Sequence, residues 1–318
     1  MSVTLGGRRN AKSERETAIV RVAGGVGEIT ADRVATEEPL EIRLVWRERR
    51  QTVAVTMRTP GADAELAAGF LFAEGVIDRP EAIAGSRPIG PVGESGCANV
   101  LEVEIAAGSP EPELASLDRH VFSNSACGVC GKAALEALRL RVPKALPPGP
   151  RVETALLAAL PGRLREAQAV FSSTGGLHAA GLFDAAGRLL AVREDVGRHN
   201  ALDKLFGWAF LEGRLPLHEH LVLVSGRTSY EILQKSLAAE VPIVCAVSAP
   251  SSLAVDLARR FGITLVGFLR GDRCNVYSGA ERLIGLPALP GAGTPAEIGE
   301  GAATSVDAPR LVVLGAAR

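Results

Sequence analysis

Leu221-Val222-Leu223-Val224-Ser225-Gly226-Arg227-Thr228-Ser229 is the stretch on which the reading of this chain turns. Four consecutive apolar residues form a short buried strand. The glycine, arginine and hydroxyls behind them lead into a helical pattern at 229–239. The unit repeats downstream. A strand over 242–247 runs through Ser248-Ala249-Pro250-Ser251-Ser252 into a helix at 252–261, and the next strand covers 263–269. Upstream, 170–174, 179–183 and 189–192 read as strands, the last after a turn at Gly187, and 200–211 reads as a helix. Strands alternating with helices of this length predict a mainly parallel sheet with helices on its faces, an α/β region expected to span 151–285.

Residues 29–119 read as a smaller α+β unit. Glu41-Ile42-Arg43-Leu44-Val45-Trp46 and Thr52-Val53-Ala54-Val55-Thr56-Met57-Arg58 alternate with period two, and Thr59-Pro60-Gly61 breaks the second strand. Asp63 is placed to cap a helix that carries Leu66, Phe70 and Leu71 and ends near Glu74-Gly75, and 99–105 is a further strand. Residues 120–150 hold Cys127-Gly128-Val129-Cys130-Gly131, a helical run over 132–140 and a proline-dense linker. The polar segment 1–28 and the Ala/Gly/Pro-rich segment 286–318 read as tails.

Composition narrows the function classes. The chain has 318 residues, 47% hydrophobic and 22% charged, and a formal net charge of -1. It is a globular composition with no overall pull toward nucleic acid or a membrane surface. No stretch approaches the roughly 20 apolar residues of a membrane span. Arg8, Arg9, Lys12 and Arg15 are not followed by an apolar run, so no signal peptide is expected. The five cysteines are an odd number in a long chain, which argues against a disulfide framework and for a cytoplasmic protein.

The CxxC has three chemical readings: half of a metal site, a redox pair, or a sulfur carrier. A helix expected just after Gly131, with Lys132 in its first turn, would lower a neighbouring thiol's pKa. A structural zinc site needs four ligands, and there is no second CxxC. The deaminase signature sets H-x-E ahead of P-C-x-x-C, whereas His218-Glu219-His220 lies downstream and no proline precedes Cys127.

The loops behind the buried strands suggest an anion site. Ser225, Gly226 and Arg227 combine close backbone approach, a helix N-terminus and positive charge, and 268–273 adds two further arginines. In an open parallel sheet ligands bind beyond the carboxyl ends of the strands. The same serines and threonines serve equally well as helix caps. Between two strands and a helix, Arg193-Glu194-Asp195-Val196-Gly197-Arg198-His199-Asn200 is unusually polar; Asp195 and Arg198 could pair, and Asn200 could cap the helix. His178 and His199 stand near these loops, and spacing alone makes neither a general base. Cys245 sits in an apolar strand and reads as core.

These segments together resemble the formate dehydrogenase accessory sulfurtransferase family. The resemblance is carried by Cys127-Gly128-Val129-Cys130-Gly131, Thr174-Gly175-Gly176-Leu177-His178, REDVGRHNALDK at 193–204, SGRTSYE at 225–231, Ser248-Ala249-Pro250 and TLVGFLR at 264–270. It implies a cytidine-deaminase-like α/β domain without the deaminase zinc, beside a smaller α+β domain. It also implies a sulfur carrier that accepts persulfide sulfur from a cysteine desulfurase on Cys127, with Cys130 assisting. The sulfur would pass to a molybdenum or tungsten bis-guanine-dinucleotide cofactor, making that cofactor active for formate dehydrogenase. Cofactor contacts are expected from Phe268, Leu269, Arg270, Gly271, Asp272 and Arg273, together with Ser225, Gly226, Arg227, His178 and His199. A homodimer is also implied. Two other readings stay open: a non-covalent cofactor chaperone with a redox-regulatory CxxC, and a zinc-dependent deaminase-like hydrolase.

Overall fold

A computed structural model describes residues 13–112 and 146–286. The described residues begin with a hairpin of β1 (Glu14–Ala23) and β2 (Val26–Ala35). A four-stranded sheet follows, made of β3 (Glu38–Trp46), β4 (Arg49–Arg58), β5 (Ile83–Val92) and β6 (Ala98–Ile105), with α1 (Asp63–Ala73) between β4 and β5. Its strand order is β4-β3-β6-β5. After the short β7 (Val152–Glu153) come the helices α2 (Thr154–Leu157), α3 (Leu160–Ala167) and α4 (Ala169–Thr174). The remainder is β8 (His178–Asp184), β9 (Leu189–Asp195), α5 (Arg198–Leu211), β10 (His220–Val224), α6 (Tyr230–Ala238), β11 (Ile243–Ala246), α7 (Ser252–Phe261), β12 (Thr264–Arg270), β13 (Arg273–Ser278) and β14 (Leu283–Ile284).

Six of these strands form one sheet in the order β13-β12-β11-β10-β8-β9. It is mixed, which corrects the expected mainly parallel sheet. Only β10, β11 and β12 run parallel, joined through α6 and α7. β8 pairs antiparallel with both β10 and β9, and β13 antiparallel with β12. The cause is connection length. Asp184 and Leu189 are joined by a tight turn through Gly187, and Arg270 and Arg273 by one through Gly271, too short for a parallel crossover.

Alternate residues of each central strand enter different cores. Val222, Val224, Val244 and Ala246 face α5, α6 and α7, whereas Leu221, Leu223, Ile243 and Cys245 face Leu157, Leu160 and Leu164 on α2 and α3. Two-sided burial explains why these strands read as continuous apolar runs. The third core lies between the four-stranded sheet and α1, and it includes Phe210 from α5.

The helices α1 and α5 cross at two glycines. A Cβ on Gly207 would fall on the Glu65 carbonyl oxygen, and one on Gly69 would fall on the Asp203 carbonyl oxygen. The two backbones therefore touch directly, and only glycine fits at either position.

Three local expectations fail. Residues 14–28, assigned to a tail, belong to the β1–β2 hairpin. Its base is held by Thr36 N–H donating to the Ser13 carbonyl at 2.9 Å and by Ser13 Oγ–H donating to the Pro60 carbonyl at 3.0 Å. Residues 170–174 are helix rather than strand, because Glu194 accepts the Val170 and Phe171 N–H groups at 3.1 and 2.8 Å and so caps α4. Asp63 does not cap α1; Ala62 holds that position and Asp63 pairs with Arg58 at 3.1 Å.

Candidate anion site at the carboxyl edge of the sheet

The polar segment behind β9 divides into two sets of side chains with opposite roles. The first set is fully engaged. Asp195 and Lys204, both buried, pair at 2.7 Å. Asp195 also accepts Thr59 N–H at 3.1 Å and Gly197 N–H at 2.8 Å, and Lys204 donates to the Thr59 carbonyl at 2.8 Å. Asn200 donates to the Met57 carbonyl at 2.7 Å, and Arg193 grips Glu65 through Nε and Nη2 at 2.5 and 2.8 Å. These contacts clamp the α/β unit onto the Thr59-Pro60 loop and α1. The expected Asp195–Arg198 pair is therefore absent, since Lys204 takes its place. Asn200 does not cap α5, where Gly197 holds the N-cap position.

The second set is not engaged. Arg198 opens α5, and its buried Nε has no hydrogen-bond partner. Burial, with the Arg227 charge nearby, pushes its guanidinium below the ordinary range. Glu231 is the acid that acts on it, but the Glu231 carboxylate lies 3.1 Å from His199 Nε2. Thr228, 1% exposed, also has an orphaned hydroxyl. Gly226 lies against Arg198 and His178. A Cβ there would stand 3.3 Å from both the Arg198 Cδ and the His178 Nδ1, so the loop backbone passes directly beneath the two side chains. Ser225 Oγ accepts Ala179 N–H at 2.9 Å and lies 3.4 Å from His178 Nδ1.

Both histidines are held neutral. Burial and the Arg198 charge lower the His178 pKa, and Asp195 opposes them only in part. His199 is driven further, to about 3, by burial and then by Arg198, Lys235 and His178. Its Nε2 lies 3.1 Å from Ser229 Oγ. A neutral imidazole can share a proton with Ser229 or Glu231, and neither ring adds positive charge to the site.

The segment 268–273 forms the end of β12 and the turn into β13, rather than a loop running into a helix. Leu269 is buried in the core, so its side chain is not available to a ligand. Phe268, Arg270, Gly271, Asp272 and Arg273 are exposed. Phe268 is a non-glycine residue at φ 52° within a bulge, its N–H bound to the Ser248 carbonyl at 3.1 Å. Arg270 Nε donates to the Val247 carbonyl at 3.3 Å. The segment thus borders the loops behind β11, and its aromatic ring is held outward by a backbone conformation that L-residues adopt at a cost of about 1–2 kcal/mol. Cys127 and Cys130 lie outside the described residues.

Beside His178 and Ser225 opens a cavity of about 530 Å³, walled by α3, α4 and the loops behind β9, β10 and β11. Two of its wall residues, Arg165 and Gln168, were not singled out from the sequence. The strand reading of 170–174 hid the helix junction at which Gln168 stands. Among the described residues, no cluster of His, Cys, Asp and Glu is arranged to hold a metal ion, and no helix is long and apolar enough to cross a membrane.

Comparison with known proteins agrees with this architecture. A crystal structure described as a formate dehydrogenase accessory protein from Desulfotalea psychrophila superposes with a TM-score of 0.64 at 27% identity, covering 85% of this chain and 99% of that one. The sulfur carrier protein FdhD of Mycolicibacterium paratuberculosis is 50% identical over 269 residues, which is 83% of this chain and 97% of the relative. The Nocardia farcinica protein of the same name is 52% identical over 255 residues, 79% of this chain and 88% of the relative. The FdhD/NarQ family profile matches residues 35–284, and the chain belongs to that family.

Proposed function

We propose that this protein is a sulfur carrier serving formate dehydrogenase, and that its anion site holds the nucleotide arms of a molybdenum or tungsten bis-guanine-dinucleotide substrate. The observation that carries the cofactor half is Arg198. A half-buried guanidinium without a carboxylate of its own is costly to keep, and a phosphate would meet both its charge and its orphaned Nε. Arg227, whose charge acts on Arg198, follows Gly226 in the neighbouring loop, which leads into the N-terminus of α6. The sulfur half rests on the CxxC and on relatives named as sulfur carriers at about half identity.

In this reading the Cys127 thiolate attacks the outer sulfur of a cysteine desulfurase persulfide. The donor S–S bond breaks, the donor leaves as its thiolate, and Cys127 carries the new persulfide. Onward transfer returns Cys127 as a thiolate, and the reduced metal of the substrate supplies the two electrons that convert sulfane sulfur to sulfide. Cys130 assists release. The protein works in the cytoplasm as a homodimer, and its α/β unit has a cytidine-deaminase-like fold.

Incubation with a cysteine desulfurase and cysteine, followed by peptide mass spectrometry, tests this. The expected result is a reductant-labile gain of roughly 32 Da, one sulfur atom, on Cys127 and none in Cys127→Ala. No adduct, with the donor shown active on another acceptor, would replace the carrier by a non-covalent cofactor chaperone.

A further inference from the structure

We infer that the β1–β2 hairpin is a dimerisation arm, and that the outer half of one of its faces packs on the same face of a second copy, tip against base. The inference rests on the homodimer of the reading above and assigns its interface. Directly opposed residues of an antiparallel pair share a face, and the register runs unbroken from Glu14 with Ala35 to Ala23 with Val26. One face therefore carries, from base to tip, the rows Glu14–Ala35, Glu16–Arg33, Ala18–Ala31, Val20–Ile29 and Val22–Gly27. The base is gripped on both sides. Ser173 Oγ–H of α4 donates to Glu14, and a Cβ on Gly176 would stand 3.7 Å from that of Ala35, both on this face. Arg15 pairs with Glu94 on the other face. Toward the tip this face is bare: Val20 is 64%, Val22 66% and Ile29 81% exposed. With Val26 at the turn, the arm holds four of the ten large hydrophobic side chains exposed among the described residues, so the apolar surface is gathered here rather than scattered. The family profile begins at residue 35, and the arm precedes it.

A two-stranded hairpin is marginal alone in water, and an apolar face on one calls for a second layer that is present whenever the chain is. A second copy meets that condition, and the rows fit it. α4 and Gly176 fill the base of the face, so another arm pointing the same way would drive its own base into them. A reversed arm clears them and brings face onto face as in a two-sheet sandwich. With the two-fold axis between the Ala18–Ala31 and Val20–Ile29 rows, Val20 lies over the partner subunit's Ala18 and Ile29 over the partner subunit's Ala31, bulky side chain on small. Glu16 and Arg33, one of each sign, then meet the partner's Val22 and the partner's Gly27, and no like charges face each other.

Sedimentation velocity on the full chain reads the assembly directly. Wild type should run as a dimer. Ile29→Asp alters a side chain that is open to water in the single copy, and it should weaken the dimer at least about a hundredfold by setting a carboxylate from each subunit against apolar surface. Thr30→Asp, on the opposite face, should leave the dimer unchanged. Circular dichroism checks folding, and Ala31→Glu on the receiving row serves if Ile29→Asp fails to fold. Unchanged dimers in the folded Ile29 and Ala31 variants would overturn the arm and leave the homodimer standing. Equal dissociation by Thr30→Asp would overturn the assignment of the face. A monomeric wild type would overturn both the arm and the homodimer, and would give the face to another protein.

Discussion

Within 193–204 two groups of polar side chains stand a few residues apart, and their surroundings are opposite. Arg193, Asp195, Asn200 and Lys204 are buried and saturated with partners from the smaller sheet unit. Arg198 and His199 face the neighbouring loop, where Arg198 keeps an unused Nε and His199 is stripped of its proton. The first group holds the molecule together, and the second leaves electrostatic work for a ligand. Saturation, rather than polarity, distinguishes a structural residue from a binding one here.

The sharpest way to break this contrast is within the saturated group. Lys204→Ala leaves Asp195 buried without its cation and should cost about 3–5 kcal/mol in chemical denaturation. A loss under about 1 kcal/mol would mean that Asp195 takes up a proton or finds another partner. Gly207→Ala acts through the backbone that this group helps to dock. The methyl must displace the Glu65 carbonyl, and a loss of about 3 kcal/mol is expected, read from the denaturation midpoint. An unchanged midpoint would show that α1 and α5 can separate freely.

Arg198→Ala tests the other side. Its effect on stability should stay within about 0.5 kcal/mol, because no internal partner is lost, while pyrophosphate affinity falls at least about tenfold. A large loss of stability with intact binding would reverse the assignment.

Counted per pH unit, the remaining effect is small and concerns His199. The folded His199 pKa lies near 3 against 6.5 for the free side chain, so the unfolded chain binds the extra proton between those values. Stability from this group is complete above pH 6.5 and drains away as pH falls toward 3, by about 1 kcal/mol per unit at most for a ring that keeps some solvent contact. His199→Asn should flatten the acid limb of a stability–pH curve. An unaltered limb would mean that His199 protonates normally.

Where one periodicity decided the outcome, the sequence was a good guide to the fold. The apolar runs at 221–224 and 242–247 are buried on both faces and became β10 and β11, and the 252–261 helix matches α7 to the residue. The β1–β2 hairpin was missed because both strands are largely exposed and carry Glu, Arg, Asp and Thr among their apolar residues, as an unstructured segment does. The α4 helix was missed because Val170-Phe171-Ser172-Ser173-Thr174 has strand propensity, and the carboxylate that turns it into a helix is Glu194, on β9. For the site, the loops themselves were legible from glycine, arginine and hydroxyl content. Which of their neighbours would be satisfied was not, since Lys204 takes Asp195 from Arg198 only once Thr59 is brought in from more than a hundred residues away.

The glycine contact between α1 and α5 bears on how this protein can be dissected. Phe210 leaves α5 to fill the core beneath the smaller sheet, and Phe72 of α1 packs against both that core and the one behind the larger sheet. A fragment beginning near residue 146 would carry Phe210 and the bare glycine groove of α5 into water. Expression trials on the isolated α/β half should therefore yield aggregates, and trimming for crystallisation or tagging is better confined to the chain ends.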